Sequence, residues 1–186
     1  MIYLIVFFPL IGFLYCAFLG NTFHWKYSQL LTSLLLIIST VFSWVLFFKF
    51  IGAIPTEKFL LFNWITSGNL SVDWSFRVDS LTTTMLIVVT TVSACVHVYS
   101  IGYMSEDNSK PRFMGYLSLF TFFMLILVTS DNLLQMFFGW EGVGLASYLL
   151  IGFWHHKESA NIAAIKAFVV NRIGDFGFTL GIVGVF

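Results

Sequence analysis

The stretch 131-DNLLQMFFGWEGVGLASYLLIGFW-154 decides the fold. It is apolar over a length that spans a bilayer, and it carries one carboxylate, Glu141, near its middle. At a helical rise of about 1.5 Å per residue, Glu141 sits roughly 15 Å beyond Asp131, about half the depth of a hydrocarbon core roughly 30 Å thick. A charged side chain at that depth costs on the order of 2.5–3.5 kcal/mol on insertion scales, so an acid there marks a functional site and requires a partner. The structural alternative is a protonated Glu141 hydrogen-bonded to a neighbouring helix.

Working outward, the connection Thr129 to Asp131 is so short that the stretch forms an antiparallel pair with the apolar segment before it, and Asp131 is placed to cap the helix where the chain turns. Further apolar segments follow the same reading, which predicts an all-α membrane protein with six transmembrane helices at 2–20, 28–54, 79–104, 112–129, 131–154 and 160–186. Between helices 2 and 3, residues Leu70 to Asp79 alternate strictly between apolar and polar after the turn-like Ser67-Gly68-Asn69, which predicts a surface β-hairpin. Its apolar face and tryptophans suit the membrane interface or a neighbouring subunit, and equally a cap over helix ends. No connection resembles a flexible linker, so residues 1–186 read as one domain.

Composition agrees. The 186 residues are 59% hydrophobic and 10% charged, with mean hydropathy +0.91, far from a soluble domain. Nine basic residues balance nine acidic ones without a basic stripe, which excludes a nucleic-acid partner. Cys16 and Cys95 lie in apolar segments without a CxxC and read as small buried hydrophobes. His155, His156 and Glu158 share a short loop where interfacial water is the expected neighbour, and no metal site is predicted. Gly142 and Gly144 do not follow a strand, so no dinucleotide site is implied. No cofactor is expected on this chain. Phenylalanine occurs 23 times, a usage that accompanies AT-rich organellar genomes and favours synthesis inside an organelle. The positive-inside count gives only a small bias, towards an outer N-terminus.

The last segment, NIAAIKAFVVNRIGDFGFTLGIVGVF, places Lys166, Arg172 and Asp175 in an apolar setting. Arg172 and Asp175 are i, i+3 neighbours and are expected to pair, whereas Lys166 points nearly opposite Asp175 and is the local candidate partner for Glu141. Snorkelling to the interface also accounts for Lys166. On the Glu141 helix, Glu141, Gly144, Leu145 and Tyr148 share one face, and Gly139, Gly142 and Ala146 line another where a helix can approach closely. Gly174, Gly177, Gly181 and Gly184 make a similar smooth face further on.

The wording SDNLLQMFFGWEGVGLASYLLIGFW, followed by ANIAAIKAFVVNRIGDFG, closely resembles the chain-5 type antiporter-like subunit of respiratory complex I, NADH:ubiquinone oxidoreductase; HVYSIGYMSED…PRFMGYLSLFTFFM is similar to the same family. The resemblance implies the N-terminal part of a proton-translocating membrane-arm subunit in a mitochondrial inner membrane or a bacterial plasma membrane. It implies that Glu141, Lys166, Arg172 and Asp175 belong to the membrane-embedded charged axis. It also implies that electrons pass from NADH to ubiquinone through flavin and iron–sulfur clusters in other subunits, and that the partners are other complex I membrane-arm subunits and membrane lipids. Family members are some three times as long, so a second chain carrying the remainder of chain 5 is expected, as a split subunit. A cation/proton antiporter subunit, or a structural or assembly module without its own proton channel, fits the same residues.

Overall fold

The computed structural model describes residues 1–20, 25–50, 56–68, 70–107 and 109–185. In chain order these form α1 (Ile2–Phe18), α2 (Trp25–Phe50), β1 (Glu57–Ser67), β2 (Leu70–Val78), α3 (Ser80–Tyr103), α4 (Lys110–Thr129), α5 (Leu133–Ile151) and α6 (Glu158–Val185). The helices α2 to α6 are long and apolar enough to cross a membrane, and α1 is a shorter apolar helix of 17 residues. Among the described residues these are six helices and one hairpin, as expected from the sequence, with five of the six long enough to span a membrane. The expected end of helix 2 at Ile54, the turn residue Asn69 and the terminal Phe186 lie outside the described residues.

The helices bury small and polar residues beside an apolar core that includes Ile5, Val6, Leu86, Leu125 and Ile126. On α2, Ser28, Thr32, Ser33, Ser39 and Ser43 are buried, while Leu30, Leu34, Ile37, Val41, Val45 and Phe48 are exposed. This inverts the soluble pattern, as a lipid environment dictates: leucine gains nothing by leaving hydrocarbon, and small side chains let backbones approach and exchange hydrogen bonds. Ser39 Oγ accordingly donates to the Ile5 carbonyl of α1 at 2.9 Å, and Thr40 Oγ1 to the Thr90 carbonyl of α3 at 3.0 Å. His97, fully buried on α3, bonds the Ser93 carbonyl through Nδ1 at 2.9 Å and Ser118 Oγ of α4 through Nε2 at 3.1 Å. Cys16 is buried as expected, but Cys95 is exposed, because it lies on the outward, lipid-type face of α3 beside Val96.

The pair α4–α5 is the tightest contact near Glu141. A Cβ on Gly139 would lie 2.7 Å from the Leu127 backbone nitrogen, and one on Gly142 would overlap the Phe123 ring. The predicted face of Gly139, Gly142 and Ala146 is therefore the one laid against α4. Gly142→Ala is expected to destabilise the pair by about 1–3 kcal/mol, since Phe123 must leave its place. Thermal denaturation of the purified assembly checks this: a melting temperature equal to that of the native protein would contradict it.

The hairpin is antiparallel, from Glu57 paired with Val78 to Ser67 paired with Leu70, and Gly68 adopts φ +57° at the turn. It caps helix ends. Phe76 is fully buried, with the Tyr3 and Phe7 rings of α1 at 5.8 and 6.3 Å. Trp74 meets Phe138 of α5 at 5.1 Å. The turn into α5 is capped by Asn132, not by Asp131: Asn132 Oδ1 accepts from Gln135 N at 2.8 Å and its Nδ2 donates to the Asp73 carbonyl at 2.7 Å. Asp131 is drawn off by the hairpin, where Lys58 Nζ lies at 3.0 Å and Ser75 Oγ donates at 3.2 Å. At the start of α3, Asp79 accepts the Thr82 backbone N–H at 2.8 Å, which with the Arg77 charge holds its carboxyl below the usual range despite partial burial. At the opposite end, the Ser109 backbone N–H and the Trp154 indole do the same for Asp107, tying the α3–α4 loop to the end of α5.

Candidate functional site

The fold lays α6 against α5 so that the face of Glu141, Gly144 and Tyr148 meets it. Gly144 leaves room for Asn171, whose Nδ2 lies 3.2 Å from where a Cβ would stand, and the Tyr148 and Phe168 rings are in contact at 5.4 Å. In this groove Arg172 Nη1 bonds Glu141 Oε1 at 2.7 Å and faces Asp175 Oδ2 at 3.6 Å. The Arg172 guanidinium also lies over the Phe168 ring, 5.0 Å from its centre. Asp175 is buried, and its Oδ1 accepts the indole N–H of Trp140 at 3.0 Å. A cavity of about 220 Å³ opens beside the group, lined by Glu141, Asn171, Arg172 and Asp175 among others. It has room for several waters.

Three of the four residues singled out in the sequence are thus brought together, and the predicted Arg172–Asp175 pair is present. Lys166 is not the partner of Glu141: it is exposed, and among the described residues no hydrogen bond or ion pair joins the two. The reason is helical phase. Six residues at 3.6 per turn put Lys166 about 120° round α6 from Arg172 and about 9 Å along it, so only one of the two cations can face α5 here. Two contacts were missed by sequence reasoning: Arg172 with Glu141, and Trp140 with Asp175. The adjacency of Trp140 to Glu141 was the available signal for the second.

The chemistry follows from the charge count. One guanidinium sits between two carboxylates, and an arginine does not give up its proton. Any proton held here must therefore be held by Glu141, Asp175 or water in the cavity. Arg172 lies closer to Glu141, at 2.7 Å, than to Asp175, at 3.6 Å, and a shift between them would change which carboxylate it neutralises.

Residues 64–114 match the family described as NADH-ubiquinone oxidoreductase (complex I), chain 5 N-terminus. Residues 130–186 match the family described as NADH:quinone oxidoreductase/Mrp antiporter, TM. The chain is 53% identical over 183 residues to NADH-ubiquinone oxidoreductase chain 5 of Chondrus crispus, an alignment covering 98% of this chain and 28% of that protein. It is 56% identical over 185 residues to NADH-quinone oxidoreductase subunit L of Rhodobacter capsulatus, covering 96% of this chain and 26% of the relative. The chain thus spans about a quarter of the length of these curated relatives. Among solved structures, a chain of the membrane-bound sulfane sulfur reductase, an archaeal respiratory membrane complex, superposes with a TM-score of 0.80 at 13% identity, over 97% of this chain and 36% of that one. That likeness speaks for the fold.

Proposed function

The chain belongs to the chain 5 (subunit L) family of NADH:quinone oxidoreductases, and on that premise we propose that it supplies part of a proton-translocating unit in the membrane arm of a respiratory complex I. The observation that carries this reading is Arg172 held between Glu141 and Asp175, at 2.7 and 3.6 Å, where two membrane-spanning helices meet beside a cavity. Glu141, Arg172 and Asp175 form the proton-handling group, and Lys166 belongs to the charged axis beyond the α5–α6 contact, facing the remainder of the subunit or another one.

The scale is adequate. Moving one charge across a membrane costs about 2.3 kcal/mol per 100 mV, and one pKa unit corresponds to about 1.36 kcal/mol. A swing of about two to three units, as an ion pair forms and breaks at a buried acid, matches the work per proton. In this reading the flavin, the iron–sulfur clusters and the quinone chemistry belong to other subunits, and this chain works only with the rest of chain 5 and neighbouring membrane-arm subunits around it. A mitochondrial inner membrane is the proposed location, in keeping with the Phe-rich composition.

The antiporter name shared by the second family favours one other reading, coupled sodium/proton exchange. Vesicles containing the assembled complex separate the two. NADH oxidation with quinone is expected to acidify the lumen at an unchanged rate when a sodium ionophore collapses the sodium gradient; acidification that needs a sodium gradient and not NADH would establish the antiporter.

A further inference from the structure

Trp140 precedes Glu141 in the chain, and the two α5 side chains reach the same turn of α6: Glu141 meets Arg172, and Trp140 meets Asp175. Asp175 is 6% exposed, and its two oxygens are served separately. Oδ1 takes the indole N–H at 3.0 Å, while Oδ2 faces Arg172 Nη1 at 3.6 Å. The same Nη1 is closer to Glu141, at 2.7 Å. A buried carboxylate with no donor of its own draws the nearest cation onto itself, because an uncompensated buried charge is costly. The indole supplies that donor without adding charge. It is also held in place: its ring meets Phe178 edge-on at 6.0 Å, and Phe137 packs on the same Phe178 ring at 5.6 Å.

We propose that Trp140 is a positioning residue which, by holding Asp175 through its indole N–H, keeps Arg172 on Glu141. The role rests on the proton-translocating reading of Glu141, Arg172 and Asp175 given above. It assigns Asp175, the more deeply buried of the two carboxylates, to the indole and leaves the cation for Glu141, the more exposed one. The aromatic body of Trp140 packs on α6, but its polar atom decides where Arg172 goes.

The test uses the whole assembled complex in vesicles, with protons moved per NADH oxidised as the readout. Trp140→Phe keeps a ring against Phe178 and removes the N–H, and is expected to lower the ratio about threefold, the size of one ordinary net hydrogen bond towards the weak end of its range. Placed on Asp175→Asn, the same change is expected to add less than about 1.5-fold, since the N–H then has no carboxylate to hold. Trp140→His, which returns a ring N–H, is expected to recover at least about half of the native ratio. A native ratio in Trp140→Phe, equal losses with and without the Asp175 carboxylate, or a His variant no better than the Phe variant would each overturn the role. If the Phe variant does not assemble, the native complex decides at high resolution: an indole turned away from Asp175, or Arg172 seated on Asp175 with the indole bond intact, overturns it. Native pumping by Glu141→Gln would instead sink the proton-translocating reading itself. A loss there beside native pumping by Trp140→Phe would sink only the role of Trp140.

Discussion

Glu141→Gln is expected to leave the complex assembled and to lower NADH-driven proton pumping at least about tenfold, the equivalent of about 1.36 kcal/mol or more at the limiting step. The change keeps the size of the side chain and a hydrogen-bond acceptor for Arg172, so the α5–α6 contact at 2.7 Å has a neutral substitute. What it removes is the ability to take and release a proton. Assembly survives because the packing that joins α5 to α4 runs through Gly139, Gly142 and Ala146, on another face of the helix. Glu141→Asp keeps the charge and shortens the reach, and is expected to retain part of the activity. Blue-native electrophoresis beside pumping measurements separates the two effects: a Glu141→Gln variant that fails to assemble would show that the acid is chiefly a structural partner of Arg172.

The second large effect is expected at Arg172. Replacing it with Met leaves the Glu141 and Asp175 carboxylates facing one another across the groove with no cation between them. Breaking a fully buried ion pair in this way costs roughly 3–5 kcal/mol; here the Arg172 side chain is 54% exposed in this chain and lines the cavity, so screening by water in the cavity reduces the figure to about 1–3 kcal/mol. Asp175→Asn is expected to be milder, because Arg172 keeps Glu141 as a partner and Trp140 can still donate to the amide oxygen. The order of damage to assembly is therefore Arg172→Met, then Asp175→Asn, and adding Glu141→Gln to Arg172→Met is expected to restore part of the assembled complex by removing one of the facing charges. Equal losses from Arg172→Met and Asp175→Asn, with no recovery in the double variant, would show that the three residues do not act as one group.

The helices, the hairpin and the glycine face against α4 were legible because each rests on local pattern: long apolar runs, strict alternation from Leu70 to Asp79, and small residues at helical spacing. The Arg172–Asp175 pair was legible for the same reason, being i, i+3 on one helix. The partner of Glu141 was not. Counting from the α5–α6 connection places Glu141 at a depth between Lys166 and Arg172, so depth leaves both cations open and only the rotation of α6 about its axis decides. That rotation is set by the packing of Gly144 against Asn171 and of Tyr148 against Phe168, contacts between elements that periodicity within one helix does not contain. The cap of α5 was displaced by one residue for a comparable reason: Asp131 has suitable chemistry, but Lys58 and Ser75 on the hairpin claim it and leave the role to Asn132. Both misreadings came from partners far away in the chain.

The central claim, that the carboxylates gathered around Arg172 carry protons, is tested most directly by counting protons moved per NADH oxidised in the same vesicles for the native complex and for Glu141→Gln. The expected result is a lower ratio in the variant, since the electrons still flow and one route for protons is closed. A variant that turns over more slowly while moving the same number of protons per NADH as the native complex would contradict it.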